Sequence, residues 1–213
     1  MASQTILVYE ALKNDIRNGK YSPSESLKEI DLANIYKVSR NTVKKSLLML
    51  EKEGFVVTEL NKGAKVRSFS LDEVLNFLEL RSVLEAYITE LAVPLLTGQD
   101  ILKLENHVIQ MKIHFENNAL VDYSKCNLKF HGIIHSACSN SLAVEMTTSL
   151  KNQMSKYNTK TILIPGRSQA SLGEHLAILE AIKARDAKLA GQRMQQHILN
   201  VQKTFKENYV LLI

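Results

Sequence analysis

The feature that most constrains the fold is the distribution of strand signals, which are confined to the first third of the 213-residue chain. A strand-like run at residues 55–58, a turn at residues 61–63 and a returning strand at residues 64–67 predict a hairpin. From Ser70 onward, apolar residues recur at the three- and four-residue spacing of helices. This change predicts a small mixed unit over residues 1–69 and an all-helical unit over residues 70–213.

The first unit is predicted to hold three short helices before its hairpin. Apolar residues at helical spacing over residues 6–16 predict the first helix. Ser26, followed three residues later by Glu29, resembles a capping box and predicts the start of the second helix. Ser39 is the expected N-cap of a third helix that ends at Gly54. Three helices followed by a hairpin are typical of a winged helix-turn-helix.

The second unit is predicted to be an antiparallel bundle of about six helices, which makes the chain mainly α. Short connections place consecutive helices side by side in opposite directions. The segment is also long enough to bury a core of its own. Apolar stripes separated by Pro, Gly or Ser-Asn breaks give the helical segments 70–93, 98–118, 120–138, 141–161, 169–185 and 187–208.

Positive charge is concentrated in one window of the sequence. The whole chain has a net charge of +5, and residues 37–67 alone carry eight Lys or Arg against three Glu. Residues 68–213 are nearly neutral, with 15 basic and 14 acidic side chains. Such a window indicates a polyanionic partner, although a solvated basic surface has the same pattern.

Other patterns bear on location. No run approaches the roughly 18 consecutive apolar residues of a membrane span, so we expect no membrane partner. The N-terminal residues do not follow the pattern of a secretory signal. Two cysteines, Cys126 and Cys138, do not make a disulfide framework. We therefore expect a cytoplasmic protein.

The start of the third helix carries the side chains expected to read DNA. In a helix-turn-helix, the second helix of the motif lies in the major groove, and its first residues meet base edges. Arg40 suits guanine and Asn41 suits adenine, and Lys62 and Gly63 at the wing tip are expected to reach the flanking backbone or minor groove. A winged helix used only for protein contacts, or for RNA, is the alternative. The expected phosphate contacts are Ser39, Thr42, Lys44 and Lys45.

All six histidines lie in the second unit, and helical geometry groups some of them. Asn127 and His131 are four residues apart and share one helix face. His175 and His197 lie ten or eleven residues on either side of one interhelical turn, so an antiparallel hairpin brings them to the same height. Such a set suits zinc or another divalent transition metal. The alternatives are histidines that serve only as core polar groups, and a rival pair formed by His131 and His135.

The first unit also carries a spaced motif made of Leu27, Glu29, Leu32, Ala33, Val38, Ser39, Arg40, Val43, Leu47, Leu50, Glu51, Glu53, Gly54 and, in the wing, Asn61, Lys62, Gly63, Ala64 and Val66. This motif resembles the N-terminal domain of GntR-type bacterial transcription regulators. Lys37, Thr42 and Lys44 stand where that family commonly has Gly, Pro and Arg, and Ile30 replaces an Arg. These departures bear on the operator sequence, because Lys offers a point charge where Arg offers a rigid fork.

The second unit carries a motif made of Leu80, Arg81, Leu84, Glu85, Asn127, Phe130, His131, Ser139, Asn140, Glu174, His175, Ile178, Leu179, Ala181, Ile182, Met194 and His197. It resembles the FadR C-terminal (FCD) effector domain, and six helices resemble its VanR-type branch. In that family the positions of Asn127, His131, His175 and His197 hold a divalent metal, commonly zinc or nickel. The first position is typically Asp, so Asn127 removes one negative charge.

The same resemblance implies a small carboxylate effector bound at the metal. Open positions on a metal cation favour an anionic oxygen ligand. Arg81 and Arg167 are the expected carboxylate partners, because a guanidinium offers two parallel N–H donors. The alternative for each arginine is a surface salt bridge, for example between Arg81 and Glu85.

These features favour a ligand-responsive transcriptional regulator rather than an enzyme. We expect a homodimeric repressor on double-stranded operator DNA. One alternative is a metal-dependent hydrolase, but Glu174, its nearest general base, is expected to face away from the metal, because adjacent helical residues point about 100° apart. The other alternative is a metal-free dimeric DNA-binding protein.

Overall fold

Helices dominate both parts of the chain, as the spacing of apolar residues predicts. The computed structural model describes residues 3–59, 63–153 and 161–212, and its contacts divide the chain into the units Met1–Ser70 and Leu71–Ile213. The first unit combines helices with one small sheet, and the described part of the second unit is helical. The predicted fold class, a winged helix-turn-helix followed by a helical bundle, is confirmed.

The first unit packs three helices against a three-stranded antiparallel sheet. Its elements are α1 (Gln4–Arg17), β1 (Ser26–Leu27), α2 (Glu29–Tyr36), α3 (Arg40–Lys52), β2 (Val56–Glu59) and β3 (Gly63–Val66). The strand order is β1-β3-β2, so β3 lies in the middle of the wing. Leu12, Val43 and Leu50 are completely buried in the core beneath these elements. This core holds α3 in a fixed orientation relative to the sheet, because Val43 and Leu50 belong to α3.

The predicted capping box at Ser26 is wrong. Ser26 pairs with Lys65 in the ladder between β1 and β3, and α2 begins only at Glu29, after Lys28, whose side chain makes no cap bond. The reason is tertiary, because the neighbouring Leu27 is buried in the core and the strand pairing holds it there. The predicted cap of α3 is confirmed, since Oγ of Ser39 accepts the Thr42 N–H at 3.1 Å.

The second unit contains six longer α-helices in its described part. They are α4 (Leu71–Ala92), α5 (Gly98–Glu116), α6 (Leu120–Ala137), α7 (Ser141–Gln153), α8 (Arg167–Lys183) and α9 (Ala187–Glu207). A 3-10 turn at Thr161–Leu163 precedes α8, and the short α10 (Tyr209–Leu212) follows α9. The helix predicted at 141–161 is described only to Gln153, and residues 154–160 lie outside the described part. The helix predicted from 169 begins at Arg167, because Gly166 turns the chain in the left-handed region at φ +80°.

Four helices of the bundle pack their apolar faces against one shared core. α9 lies along α4 and forms a hairpin with α8, while α6 packs against α5 and α4. Ile88, Phe130, Ile178 and Met194, one from each of α4, α6, α8 and α9, are completely buried in the shared core. Polar side chains on the same inward faces are therefore held among apolar neighbours. None of the helices in the described ranges combines the length and apolarity that a membrane crossing requires.

Candidate metal centre and nucleic-acid interface

Three histidines from three helices meet inside the second unit. His131 of α6, His175 of α8 and His197 of α9 are each at most 3% exposed. One ring nitrogen from each lies within 4.8 Å of those of the other two. The ring centroids of His175 and His197 are 4.6 Å apart. The hairpin of α8 and α9 thus brings His175 and His197 together, as their equal distance from the turn predicts.

His175 is held so that one nitrogen faces Asn127. Its Nδ1 lies 2.7 Å from the carbonyl oxygen of Ser171, and only a protonated Nδ1 can donate to that acceptor. The remaining Nε2 then carries a lone pair, and it lies 2.8 Å from Oδ1 of Asn127. Two lone pairs at this distance repel each other, so this contact is stabilised either by a cation near both atoms or by the amide turned so that its N–H faces Nε2. The amide and the imidazole are therefore candidate ligands of a cation.

His197 is oriented by a carboxylate. Its Nδ1 donates a hydrogen bond to Oε2 of Glu174 at 2.6 Å. Glu174 also accepts two hydrogen bonds from Arg167, at 2.8 and 3.1 Å, and one from Asn200 at 2.7 Å. Glu174 thus contacts Nδ1 of His197 and lies behind that ring, on the side away from Nε2. A carboxylate bound to Nδ1 leaves Nε2 as the ligating nitrogen.

Of the three clustered histidines, His131 is the one for which the described residues supply no hydrogen-bond partner. Both of its ring nitrogens are buried and make no hydrogen bond within the described residues. Its closest carboxylate contact is Oε2 of Glu85, 3.6 Å from Nδ1. A buried polar group left in this state costs about 1–3 kcal/mol, and such groups in native proteins usually have a partner. A cation among the three histidines would supply one.

His135 has a different partner. Its Nε2 lies 2.7 Å from Oε2 of Glu85, whose other oxygen accepts the Nε–H of Arg81 at 3.1 Å. The group of close ring nitrogens that includes His175 and His197 does not extend to His135, although Glu85, His131 and His135 form a second close group. His135 is therefore held by Glu85 on the far side of His131.

Burial keeps the three clustered histidines neutral. It lowers the pKa of His131 to about 3. Burial and the proximity of His197 and His131 together bring the pKa of His175 well below its usual value, and burial also lowers the pKa of His197 against the opposing effect of Glu174. Burial raises the pKa of Glu174, but hydrogen bonds from His197 and Arg167 bring it below the usual value. Neutral imidazole is the form that binds a metal.

A small cavity opens beside the histidines. It has a volume of about 70 Å³ and is lined in part by Asn127, His131, His197, Arg81 and Arg167. Arg81 is 8% exposed and Arg167 is 6% exposed, so the salt bridges considered as the alternative for these arginines do form, but they are buried rather than on the surface. Both are paired inside the bundle, with Glu85 and Glu174 respectively. Both predicted effector residues therefore border the same space as the candidate ligands.

Two contributors were missed by sequence reasoning, whereas the pairing of Arg81 with Glu85, one helical turn away, was among the alternatives that the sequence offered. Ser171 contributes its backbone carbonyl to His175, which no side-chain pattern can reveal. Lys151 on α7 also lines the cavity, and nothing in its local sequence separates it from surface lysines.

The predicted DNA-reading residues lie at the exposed start of α3. Thr42 is half-buried, and its hydroxyl lies 2.8 Å from that of Ser39. The Arg40 guanidinium is 3.5 Å from Glu29. In the wing, Gly63 is exposed at φ +83°, and Lys62 lies outside the described residues. The exposed members of the set on α3 and its cap are Ser39, Arg40, Asn41, Lys44 and Lys45.

Two family models match the chain, one for each unit. The model described as "Bacterial regulatory proteins, gntR family" matches residues 6–66. The model described as "FCD domain" matches residues 76–200. Both matches fall in the order that the sequence motifs indicate.

Curated relatives and solved structures agree with the two models. The chain is 22% identical over 200 residues to the HTH-type transcriptional repressor RspR of Escherichia coli K12, covering 94% of this chain and 88% of that protein. It is 25% identical to the HTH-type transcriptional repressor GlaR of the same strain, covering 90% of each. The structure of E. coli McbR/YncC matches with a TM-score of 0.74 at 20% identity, covering 100% of this chain and 98% of that one, which supports the fold.

Proposed function

Since the chain belongs to the GntR family of transcriptional regulators and carries an FCD effector domain, we propose that it represses genes by binding operator DNA as a homodimer. A small carboxylate effector, bound at a divalent metal in the second unit, controls the affinity for the operator. Two of the relatives are named as repressors, which supports the sign of the regulation. Regulators of this class are not enzymes, and the hydrolase alternative is dropped on that ground.

The DNA part of the proposal rests on the exposed start of α3. Arg40 and Asn41 project from the first turn of a helix whose N-terminal end is capped by Ser39, in the position from which a recognition helix reads the major groove. Lys44 and Lys45 add positive charge on the next turn, where phosphate contacts set affinity without sequence preference. Two copies of α3 in a homodimer would read half-sites about one helical turn apart.

One observation carries the metal part: three buried neutral histidines converge beside Asn127, and His131 makes no hydrogen bond to any residue that the structure describes. Three imidazoles and an amide oxygen are borderline donors that suit zinc or nickel. When bound, such a metal supplies a Lewis-acidic cation with open positions for an anionic oxygen. The protein's contribution is orientation, because Ser171 and Glu174 fix the donors of His175 and His197.

Arg81 and Arg167 are the proposed anchors of the effector carboxylate. Both border the cavity beside the histidines, and each has part of its guanidinium engaged by a carboxylate behind it. That engagement fixes the planar group in one orientation, so less side-chain entropy is lost on binding. The effect of the effector on operator affinity is a coupling free energy, typically about 1–3 kcal/mol.

The proposal is tested on the purified full chain by metal analysis, thermal melting and gel shift. We expect about one divalent metal per chain, a lower melting temperature after chelation, and selective binding to a duplex recovered by selection from random DNA. His175→Ala should lose the metal and retain operator binding, while His107→Ala, at a half-buried histidine outside the cluster, should retain both. Absence of metal, with a melting temperature unchanged by chelator, would support the metal-free alternative.

A further inference from the structure

A second group of potential metal ligands lies beside the first and shares His131 with it. Glu85 of α4 and His131 and His135 of α6 each place one donor atom within 4.8 Å of those of the other two. Glu85 and His131 are buried, and His135 is half-buried. The two histidines of α6 therefore acquire a carboxylate partner from another helix.

The spacing of the two histidines on α6 suits chelation of one ion. Residues four apart on a helix lie on the same face. Two histidines at that spacing, together with a carboxylate from a separate element, are a recurrent donor set for divalent metals. Glu85, His131 and His135 reproduce this set on two packed helices, α4 and α6.

One oxygen of Glu85 faces both histidines. Its Oε2 lies 2.7 Å from Nε2 of His135 and 3.6 Å from Nδ1 of His131. The other oxygen, Oε1, accepts the Nε–H of Arg81 at 3.1 Å, so the guanidinium keeps the carboxylate ionised and leaves Oε2 to the histidines. A divalent ion would replace the proton between Glu85 and His135 and would also bind Nδ1 of His131.

The hydrogen bond between Glu85 and His135 does not by itself satisfy this group. Both ring nitrogens of His131 are buried and make no hydrogen bond to any residue that the structure describes. The centroid of the His131 ring lies 6.5 Å from that of His135 and 5.4 Å from that of His197. An ion among either group of ligands would therefore give His131 a partner.

The two positions differ in donor chemistry. The first offers three imidazoles and the amide of Asn127, which are all neutral, and this set favours zinc or nickel. The second includes a charged carboxylate oxygen, and carboxylate donors suit harder ions such as Mn²⁺. Because Arg81 offsets part of the carboxylate charge, the second position is expected to hold an exchangeable ion.

His131 cannot serve both positions at once. A neutral imidazole has a lone pair on only one of its two nitrogens, so it binds one metal at a time. Two divalent ions on one ring would also repel each other strongly in a poorly solvated interior. An ion in the second position therefore removes a ligand from the first.

We propose that Glu85, His131 and His135 form a second, exchangeable divalent-metal position, which takes Mn²⁺-like ions and competes with the first position for His131. The position itself is independent of the proposed function. Its consequence rests on that function, because a chain that holds an ion at Glu85 lacks a complete metal centre for the effector. Metal identity then decides whether the effector can act.

The test titrates Mn²⁺ into the metal-free full chain at neutral pH and follows the electron paramagnetic resonance signal of the free ion. We expect about one Mn²⁺ per chain. His135→Ala should lose Mn²⁺ binding and keep zinc, and the retained zinc shows that the variant is folded. His175→Ala should keep Mn²⁺ binding, because His175 belongs only to the first position. His114→Ala, at a half-buried histidine of α5 outside both groups, is the matched control and should keep both metals.

A second titration tests the sharing of His131. The chain loaded with one equivalent of zinc should take up no Mn²⁺, because zinc in the first position already binds His131. Uptake of Mn²⁺ by the zinc-loaded chain would overturn the competition between the two positions.

The remaining outcomes separate this inference from the proposed function. Mn²⁺ binding that is lost in His175→Ala and kept in His135→Ala would put the ion in the first position and overturn the second. Loss of zinc as well as Mn²⁺ in His135→Ala would overturn the separation of the two positions. Absence of Mn²⁺ binding in the unsubstituted chain would overturn this inference and leave the zinc-centred effector site standing, whereas Mn²⁺ binding without any zinc binding would overturn that site alone.

Discussion

Nδ1 of His197 on α9 donates a hydrogen bond to Oε2 of Glu174 on α8 at 2.6 Å, so a carboxylate on one helix fixes the imidazole of the next. Glu174 is in turn held by Arg167 and Asn200. The candidate ligand is therefore aimed by a network that reaches the cavity wall, since Arg167 borders the cavity. The orientation of His197, a proposed metal ligand, and that of Arg167, a proposed effector anchor, therefore depend on the same carboxylate.

Glu174→Gln should weaken metal binding without abolishing it. The amide can still contact Nδ1 of His197, but it no longer stabilises the charge that the imidazole donates to a metal, and such second partners typically contribute 10–100-fold to affinity. Competition with a chromogenic chelator measures this loss. Glu180→Gln, at an exposed residue of the same helix, is the control. Unchanged zinc affinity in Glu174→Gln would show that the carboxylate does not act on a metal ligand.

The metal-free protein should lose stability as the pH falls below about 6.5. The pKa of His131 is lowered to about 3, and the pKa values of His175 and His197 are also lowered. Burial is the largest cause of all three shifts. Below the unfolded-state pKa the unfolded chain binds protons that the folded chain does not, so the free energy of unfolding falls with pH, by up to about 1.4 kcal/mol per pH unit for each histidine.

Urea unfolding between pH 5 and pH 8, in the presence of a chelator, measures that slope. His131→Gln should make it shallower, because one of the three contributing groups is removed. A free energy of unfolding that is flat or rises toward pH 5 would contradict the neutral, buried state of these histidines.

Substitutions at the start of α3 should separate sequence reading from general attraction. Arg40→Ala should cost about 1–3 kcal/mol of operator binding and relax the preference for one base, because a guanidinium reads guanine through two hydrogen bonds. Lys45→Ala should weaken binding to all duplexes alike and reduce the salt slope by about one. Gel shifts on the selected operator and on a shuffled duplex, at several salt concentrations, measure both effects. A uniform loss in Arg40→Ala would assign this residue to the phosphate backbone instead.

Features that depend on local sequence were predicted better than features that depend on tertiary packing. The cap at Ser39 and the equal height of His175 and His197 depend on residues close in sequence or on simple helix geometry, and both were predictable. Ser26 was assigned to the wrong element, because the strand that pairs with it begins 37 residues later in the chain. The hydrogen bond between Glu174 and His197 was not predictable, because the packing of α9 against α8 decides which partners a flanking side chain meets.

Lys37→Gly should stabilise the first unit. Lys37 ends α2 in the left-handed region, at φ +53°, where a side chain costs roughly 1–2 kcal/mol. The Val38 N–H bonds the Ala33 carbonyl at 3.1 Å, so the turn does not depend on the lysine side chain. Glycine also gains entropy in the unfolded chain, which offsets part of the relief, and the expected net gain is about 0.5–1 kcal/mol. Urea unfolding of Lys37→Gly measures the gain, with Lys37→Ala as the control that keeps the strain. Equal stability of the two variants would show that the left-handed turn is not strained.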